Sequence, residues 1–258
     1  MSVDYLKNKN AHKRDHDISF KEEGHIYTVK GKKGFTSVTT WIHTLFEKFD
    51  ADKIIDNMMK SSKWSENKYY GMTKSEIKNL WTANGQEASS AGTKLHYDIE
   101  CTYNEMQVTN DTIEYKYFLE FYKKYCDLEP YRTEMLVYYE ELQLSGSIDM
   151  IFKCPDGTFV IYDWKRSKEI VKVNKWNKWI KSDVVSHLPD TNYWHYSLQL
   201  NVYKAILIKK YGMIVGDLYL VILHPNNKSY LRVPVVDLQN EVEQLFLERE
   251  RKLIHNIK

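Results

Sequence analysis

Two apolar runs joined by a turn constrain the fold of this chain more than any other feature: Leu144–Lys153 (LSGSIDMIFK) and residues 158–165 (TFVIYDWK), with Pro155-Asp156-Gly157 between them. Both are rich in β-branched and aromatic residues, and Pro-Asp-Gly is turn chemistry, so the pair is expected to form an antiparallel hairpin. A third run, 133–140, precedes them and extends the hairpin into a meander. Each of the first two strands carries an aspartate. In Leu144–Lys153, Ile148, Met150 and Phe152 take one face while Asp149 and Ile151 take the other; in the next strand Phe159, Ile161, Asp163 and Lys165 form one row. Taken alone, Asp163 and Lys165 read more readily as a structural ion pair than as a site. Pairing through the turn, however, sets Asp149 and Asp163 side by side, and two converging carboxylates repel unless a cation lies between them. Hard oxygen donors favour magnesium or manganese over zinc. A lysine in the same row can then offset negative charge developing on a phosphate.

The rest of the chain reads as helices before this meander and as helix plus further strands after it. Residues 1–16 are polar and charged, a flexible tail. Residues 17–84 form an N-terminal hairpin and helical part. His25-Ile-Tyr-Thr-Val-Lys30 alternates as a strand, GKKG is a turn, Ser37 caps a helix through Trp41 and Phe46, and Thr73-Lys74-Ser75-Glu76 is a capping box. Helices are expected over 87–106, 113–125 and 196–211 and from residue 238, with strands over 218–224 and 230–235. Residues 85–258 thus form the main domain of a mixed α/β protein with a helical N-terminal part, and 43% hydrophobic residues can supply its core.

Several classes are excluded or disfavoured. Cys101, Cys126 and Cys154 are odd in number and show no CxxC spacing, which supports neither a disulfide framework nor a zinc site. No run approaches the roughly 18 apolar residues of a membrane span, and the opening MSVDYLKNKNAHKRDHD lacks an apolar signal-peptide core. The expectation is a soluble, intracellular protein without membrane contact, in the cytoplasm or a DNA-containing compartment. Walker motifs are absent, so the chain carries no motor of its own. A net charge of +2 says little, because 37 bases nearly cancel 35 acids. Local clustering says more.

Gly146-Ser147-Ile148-Asp149, a gap of thirteen residues, and Asp163-Trp164-Lys165-Arg166-Ser167 together resemble the core of the PD-(D/E)XK nuclease superfamily in its RecB-like branch. Ala91-Gly92-Thr93-Lys94-Leu95-His96, followed by Ile99 and Glu100, resembles the upstream GxxxH element, and Gln199-Leu200-Asn201-Val202-Tyr203 resembles the downstream QxxxY element. Glu134 matches an acidic position upstream of Asp149, and the opening HIYTVKGKKGFTSVTTWI is similar to stand-alone exonucleases of phages, large DNA viruses and mitochondrial genome maintenance. The resemblance covers about residues 85–225. It implies a restriction-endonuclease-like core, a central mixed β-sheet flanked by helices. It also implies a nuclease hydrolysing DNA phosphodiester bonds, exonucleolytic and favouring single strands or strand ends. One or two Mg²⁺ or Mn²⁺ ions would be bound by Asp149, Asp163, the Trp164 backbone carbonyl and His96, with Glu134 assisting a second ion and Lys165 as the catalytic lysine. The four cysteines that hold an iron–sulfur cluster in some relatives are missing, so no cluster is expected.

The remaining positions are weighed against plainer readings. His96 and Glu100 share a helix face at i and i+4, a spacing that by itself is usually a surface contact. Gln199 and Tyr203 have the same spacing and read as a polar edge facing the phosphate backbone, the alternative for Tyr203 being packing. From Lys165 to Lys181 seven bases accompany one acid, with Trp176 and Trp179 among them. Arg166, Lys172, Lys175 and Lys178 with these tryptophans can line a groove for phosphates and unpaired bases, or form solvated surface over core tryptophans. Ser167, Ser37 and Thr39 are candidate phosphate contacts, although a helix cap also explains Ser37. Two competing functions stay open: an RNA endonuclease of the cap-snatching type, and a non-catalytic DNA-binding module derived from a nuclease. The expected partner is single-stranded DNA and the expected state a monomer.

Overall fold

The computed structural model describes residues 3–255. The chain forms two compact units, one of residues 3–47 with 96–255 and one of residues 48–95. In the first, α1 (Tyr5–Lys9) leads to an antiparallel ribbon of β1 (Ile18–Lys21) and β2 (Ile26–Val29). Its turn is Glu22–His25, with Gly24 and His25 at positive φ, and a second tight turn falls where the GKKG was expected, Lys30 and Gly31 at positive φ with Val29 and Lys32 bonded to each other. β3 (Thr36–Ser37) runs straight into α2 (Val38–His43), where Ser37 Oγ accepts from Thr40 N at 3.0 Å.

The second unit holds α3 (Ala51–Met59) and most of α4 (Lys74–Tyr103). Asp50 caps α3, and Thr73 and Glu76 form the capping box of α4, with Thr73 N donating to Glu76 Oε2 at 2.7 Å. Lys74 and Lys78 pair with Asp52 and Asp56, and Trp81 donates its indole N–H to Tyr69. α4 continues beyond Leu95 into the first unit, so the two helical segments expected there are one element.

After α5 (Ile113–Lys124) come β4 (Glu129–Tyr139), β5 (Leu144–Lys153) and β6 (Phe159–Lys165), the meander expected from sequence. α6 (Asn192–Tyr211) then crosses over to β7 (Val215–Ile222), which pairs parallel with β6; β8 (Leu231–Pro234) and α7 (Gln239–His255) complete the order. Parallel pairing needs such a crossover, and the helix supplies it. The mixed sheet runs β3-β5-β6-β7-β8, with β4 on the other side of β5. One face carries Phe152, Tyr162 and Trp164 against Phe118, Phe121 and Tyr103 of α5 and α4. The other packs Ile151, Ile161, Leu218 and Leu220 with α2, α6 and α7. Each fully buried side chain of this kind contributes about 1.5–3 kcal/mol.

The segment read as a flexible tail is built into this unit. Leu6 is buried and its N–H bonds Asn104, Asn10 bonds the Tyr131 carbonyl, and Arg14 stacks 3.8 Å above the Tyr138 ring. Buried Arg132 pairs with Asp15 at 2.8 Å. Among the described residues no helix is long and apolar enough to cross a membrane.

Candidate active site

β5 positions the site because its two edges are used differently along its length. β4 follows one edge throughout; on the other, β3 pairs only with Leu144 and Ser145, and β6 only from Met150 onward. Gly146 to Asp149 therefore lie in a gap between β3 and β6. Extending the register from Met150–Tyr162 by one step sets Asp149 opposite Asp163, as the sequence pairing predicts. Across the other edge Asp149 lies opposite Glu134, between the pairs Thr133–Met150 and Met135–Ile148. Opposite residues of an antiparallel pair share a face, so three carboxylates meet there.

Glu134 has φ 43°. A left-handed non-glycine residue inside a strand costs about 1–2 kcal/mol, strain of the kind that gathers at functional sites. Ser147, two residues before Asp149 and on its face, donates to Glu134 Oε2 at 2.6 Å. From α4, His96 brings Nδ1 to 3.5 Å from Asp149 Oδ2 and 3.9 Å from Glu134 Oε1. Its Nε2 lies 2.9 Å from the Trp164 carbonyl oxygen. The donor atoms of His96, Glu134 and Asp149 all lie within 4.8 Å of one another. The Trp164 carbonyl accepts from the imidazole, and Trp164 N–H donates to Asp149 Oδ2 at 2.9 Å.

Asp163 and Lys165 stand beside this trio. Lys165 Nζ is 2.7 Å from Asp163 Oδ2, with side-chain exposures of 19% and 4%. At that distance the contact is a charge-assisted hydrogen bond as well as an ion pair. Gln199 Nε2 donates to Asp163 Oδ1 at 3.4 Å, and Tyr196, one turn earlier on α6, lies under the ammonium with its ring centre 5.0 Å away. Asp163 is not one of the three mutually close donors, although its charge acts on Asp149.

Electrostatics shows an acidic cluster short of positive charge. Burial, reinforced by Asp163 and Glu134, pushes Asp149 up to about 7 against the opposing pull of His96. Burial opposes protonation of His96, but Asp149 and Glu134 outweigh it and hold the imidazole at about 9. Burial works against Glu134 ionising, yet His96 keeps it below the usual carboxylate range. Burial likewise opposes the charge on Lys165, and Asp163 and Asp149 overcome it, raising the ammonium above its ordinary value. Glu100, one turn beyond His96, is outside the trio; burial together with Glu134 and Asp4 raises it to about 7. Two carboxylates and an imidazole, one of the acids reluctant to ionise, form a donor set that suits a divalent cation.

The expected substrate contacts divide. Arg166 Nε bonds Glu114 Oε1 at 2.8 Å, a mostly buried ion pair that ties the end of β6 to α5. Tyr203 is buried, not at a polar edge: it lies over Gly146, where a Cβ would come 2.6 Å from its hydroxyl, and it meets Thr39. Gln199 is buried on Asp163. Ser37 caps α2, and Ser167 bonds the Glu169 carbonyl while receiving Asn192 at 3.4 Å. Lys172 sits over the Tyr193 ring and Lys178 pairs with Glu47 at 3.3 Å. Lys175, Trp176 and Trp179 are exposed, so the tryptophans are not core. Ser147 and Tyr196 escaped the sequence reading; alternation places Ser147 on the Asp149 face, and i, i+3 spacing places Tyr196 beside Gln199.

No curated protein matches the chain. The crystal structure of SSO0001 aligns with 98% of this chain and 86% of its own at 13% identity, with a TM-score of 0.34. The family model of the PD-(D/E)XK nuclease superfamily matches residues 36–258, and the mixed sheet flanked by helices is consistent with the restriction-endonuclease-like fold. The chain belongs to the PD-(D/E)XK nuclease superfamily.

Proposed function

We propose that the chain is a divalent-metal-dependent exodeoxyribonuclease of the RecB-like branch, acting on single-stranded DNA or strand ends. The observation that carries this reading is the meeting of His96, Glu134 and Asp149 beside the Lys165–Asp163 pair where β5 and β6 part. A Mg²⁺ or Mn²⁺ ion in that donor set supplies Lewis-acid polarisation of a phosphoryl oxygen and lowers the pKa of water. His96 offers Nδ1, its tautomer fixed by donation from Nε2 to the Trp164 carbonyl, as ligating histidines commonly are. Asp149 and Glu134 offer carboxylate oxygens, and Ser147 holds Glu134 in place. Asp163 completes the acidic rim and anchors Lys165, while Gln199 fixes the far oxygen of Asp163. Lys165 orients the attacking water and stabilises the extra negative charge on phosphorus in the transition state.

Single-strand preference is supported by exposed Trp176 and Trp179 just beyond Lys165, because aromatic faces stack on bases that no partner strand covers. Exonucleolytic action rests on the resemblance of the motif set to the RecB-like branch and of the opening HIYTVKGKKGFTSVTTWI to stand-alone exonucleases. The test is end-labelled linear single-stranded DNA, duplex DNA, RNA and circular single-stranded DNA with Mg²⁺ or Mn²⁺. Linear DNA should be trimmed from an end and circles spared, and Lys165→Ala and Asp163→Ala should each lose at least about 10²-fold in rate. Wild-type rates in either variant overturn the assignment, cut circles overturn exonucleolytic action, and preference for RNA overturns the substrate.

A further inference from the structure

We propose that the loop between β6 and α6 carries a pocket that receives one unpaired nucleobase of the substrate strand, an inference that rests on the nuclease reading and adds base recognition to it. The loop leaves directly from Lys165 and is a built structure. Trp179 bridges Pro189, Ile180 N donates to the Leu188 carbonyl at 3.0 Å, and Asp190 N donates to that of Lys178 at 2.9 Å. Asn174 Oδ1 accepts Trp176 N at 2.8 Å, and Asn192 clamps the near end by accepting from Val171 N and donating to the Glu169 carbonyl.

On this frame opens a cavity of about 560 Å³, within the range that takes small organic ligands. Ile170, Val173 and Trp176 give it an apolar wall, and Glu169, Asp190 and Thr191 a polar one. Trp176 is 84% exposed and Val173 71%. An indole held in the open by an ordered turn gains nothing from packing and offers a stacking face. Thr191 is only 8% exposed, yet its Oγ1 is buried without a hydrogen-bond partner and does not cap α6, at whose N-terminus it stands. A buried hydroxyl left unmatched marks a place for a polar ligand edge.

Exposed Lys168 and Lys175 on the same loop supply the charge that attracts a phosphodiester chain. The ligand class that is planar, polar at its rim and carried on a polyanion is a base of single-stranded nucleic acid. A base inside a duplex has its faces covered and cannot enter. Glu169 and Asp190, the latter with Oδ1 3.4 Å from His195 Nε2, present carboxylate oxygens that accept hydrogen bonds, so the base best served presents an exocyclic amino group, which cytosine, adenine and guanine have and thymine, with its single N3–H donor, lacks.

The test measures binding of end-labelled single-stranded oligonucleotides by fluorescence anisotropy, in EDTA so that nothing is cleaved. Wild type, Trp176→Ala, Trp176→Phe and Thr191→Val are titrated with all-cytosine and all-thymine strands and with strands carrying one abasic position walked along the sequence. Trp176→Ala should weaken binding about tenfold, Trp176→Phe should restore most of that, and Thr191→Val should narrow the preference of cytosine over thymine. One abasic position should cost wild type about the same factor and cost Trp176→Ala almost nothing. Undiminished binding by Trp176→Ala, or an abasic penalty that persists in it, overturns the pocket while leaving nuclease activity standing. Equal affinity for cytosine and thymine strands overturns the amino-group assignment. A wild type that neither binds nor cleaves any nucleic acid overturns the nuclease reading and the pocket with it.

Discussion

His96 has an acceptor at each ring nitrogen, carboxylates at Nδ1 and the Trp164 carbonyl at Nε2, so without metal the imidazolium offsets part of the acidic cluster. Asp149 and His96 both hold a proton more tightly in the folded chain than in the unfolded one. Their contribution to stability therefore falls as pH rises, for Asp149 between its ordinary 3.8 and about 7, and for His96 between its ordinary 6.5 and about 9. A divalent ion must displace those protons, so its affinity climbs over the same window, by up to about tenfold per pH unit for each proton released. Thermal midpoints in EDTA should drop from pH 6 to pH 9 more for wild type than for the His96→Ala, Asp149→Asn double variant, and Mn²⁺ should raise the wild-type midpoint more at pH 9 than at pH 6. A metal effect independent of pH would contradict this. Asp149, Asp163 and Lys165 were legible in the sequence because strand alternation fixes their faces. The Trp164 carbonyl bonding His96 was not, since neither rotamers nor main-chain acceptors can be read from residue types.

α6 does its work from the inside of the molecule. The i, i+4 pair Gln199 and Tyr203 was visible as a pattern, but its direction depends on α6 crossing the sheet, so a surface edge and a buried brace look alike in sequence. Gly146 leaves the space that Tyr203 fills. Gly146→Ala should therefore destabilise the fold by about 1–3 kcal/mol through overpacking, and adding Tyr203→Phe should recover part of the loss by removing the closest atom. Denaturant midpoints of the two single variants and the double variant check this; losses that simply add would show that the residues do not share the contact. β5 and β6 were legible nearly to their ends because β-branched alternation and a Pro-Asp-Gly turn agree, whereas β4 begins at Glu129, four residues before the expected 133, across a Pro130 that alternation does not read as strand. β1 passed unread because four residues are too short to show alternation, and α3 passed unread although its nine residues are strongly amphipathic and Asp50 caps them.

At the scale of the whole chain, the sequence divided the molecule at residue 84 and set aside the first sixteen residues. The structure instead carries α4 through Gly85 and Gly92 and draws the compact units at 47/48 and 95/96. Glycine inside a helix costs about 1 kcal/mol, too little to end a thirty-residue element. Polar composition hid the N-terminal segment, whose anchors are one leucine, one asparagine and an Arg–Asp pair rather than an apolar run. Deleting residues 1–16 should therefore leave the buried Arg132 guanidinium without its Asp15 partner and lower stability by about 3 kcal/mol or more, read by chemical denaturation, because breaking a buried ion pair strands a charge. A truncated chain as stable as the full one would show those anchors to be idle. The most direct measurement of the central claim is anomalous diffraction from crystals soaked in Mn²⁺. A manganese peak within coordination distance of His96 Nδ1, Glu134 and Asp149, and lost in Asp149→Asn, is the predicted result; no peak there at saturating Mn²⁺, or one centred elsewhere, would contradict it.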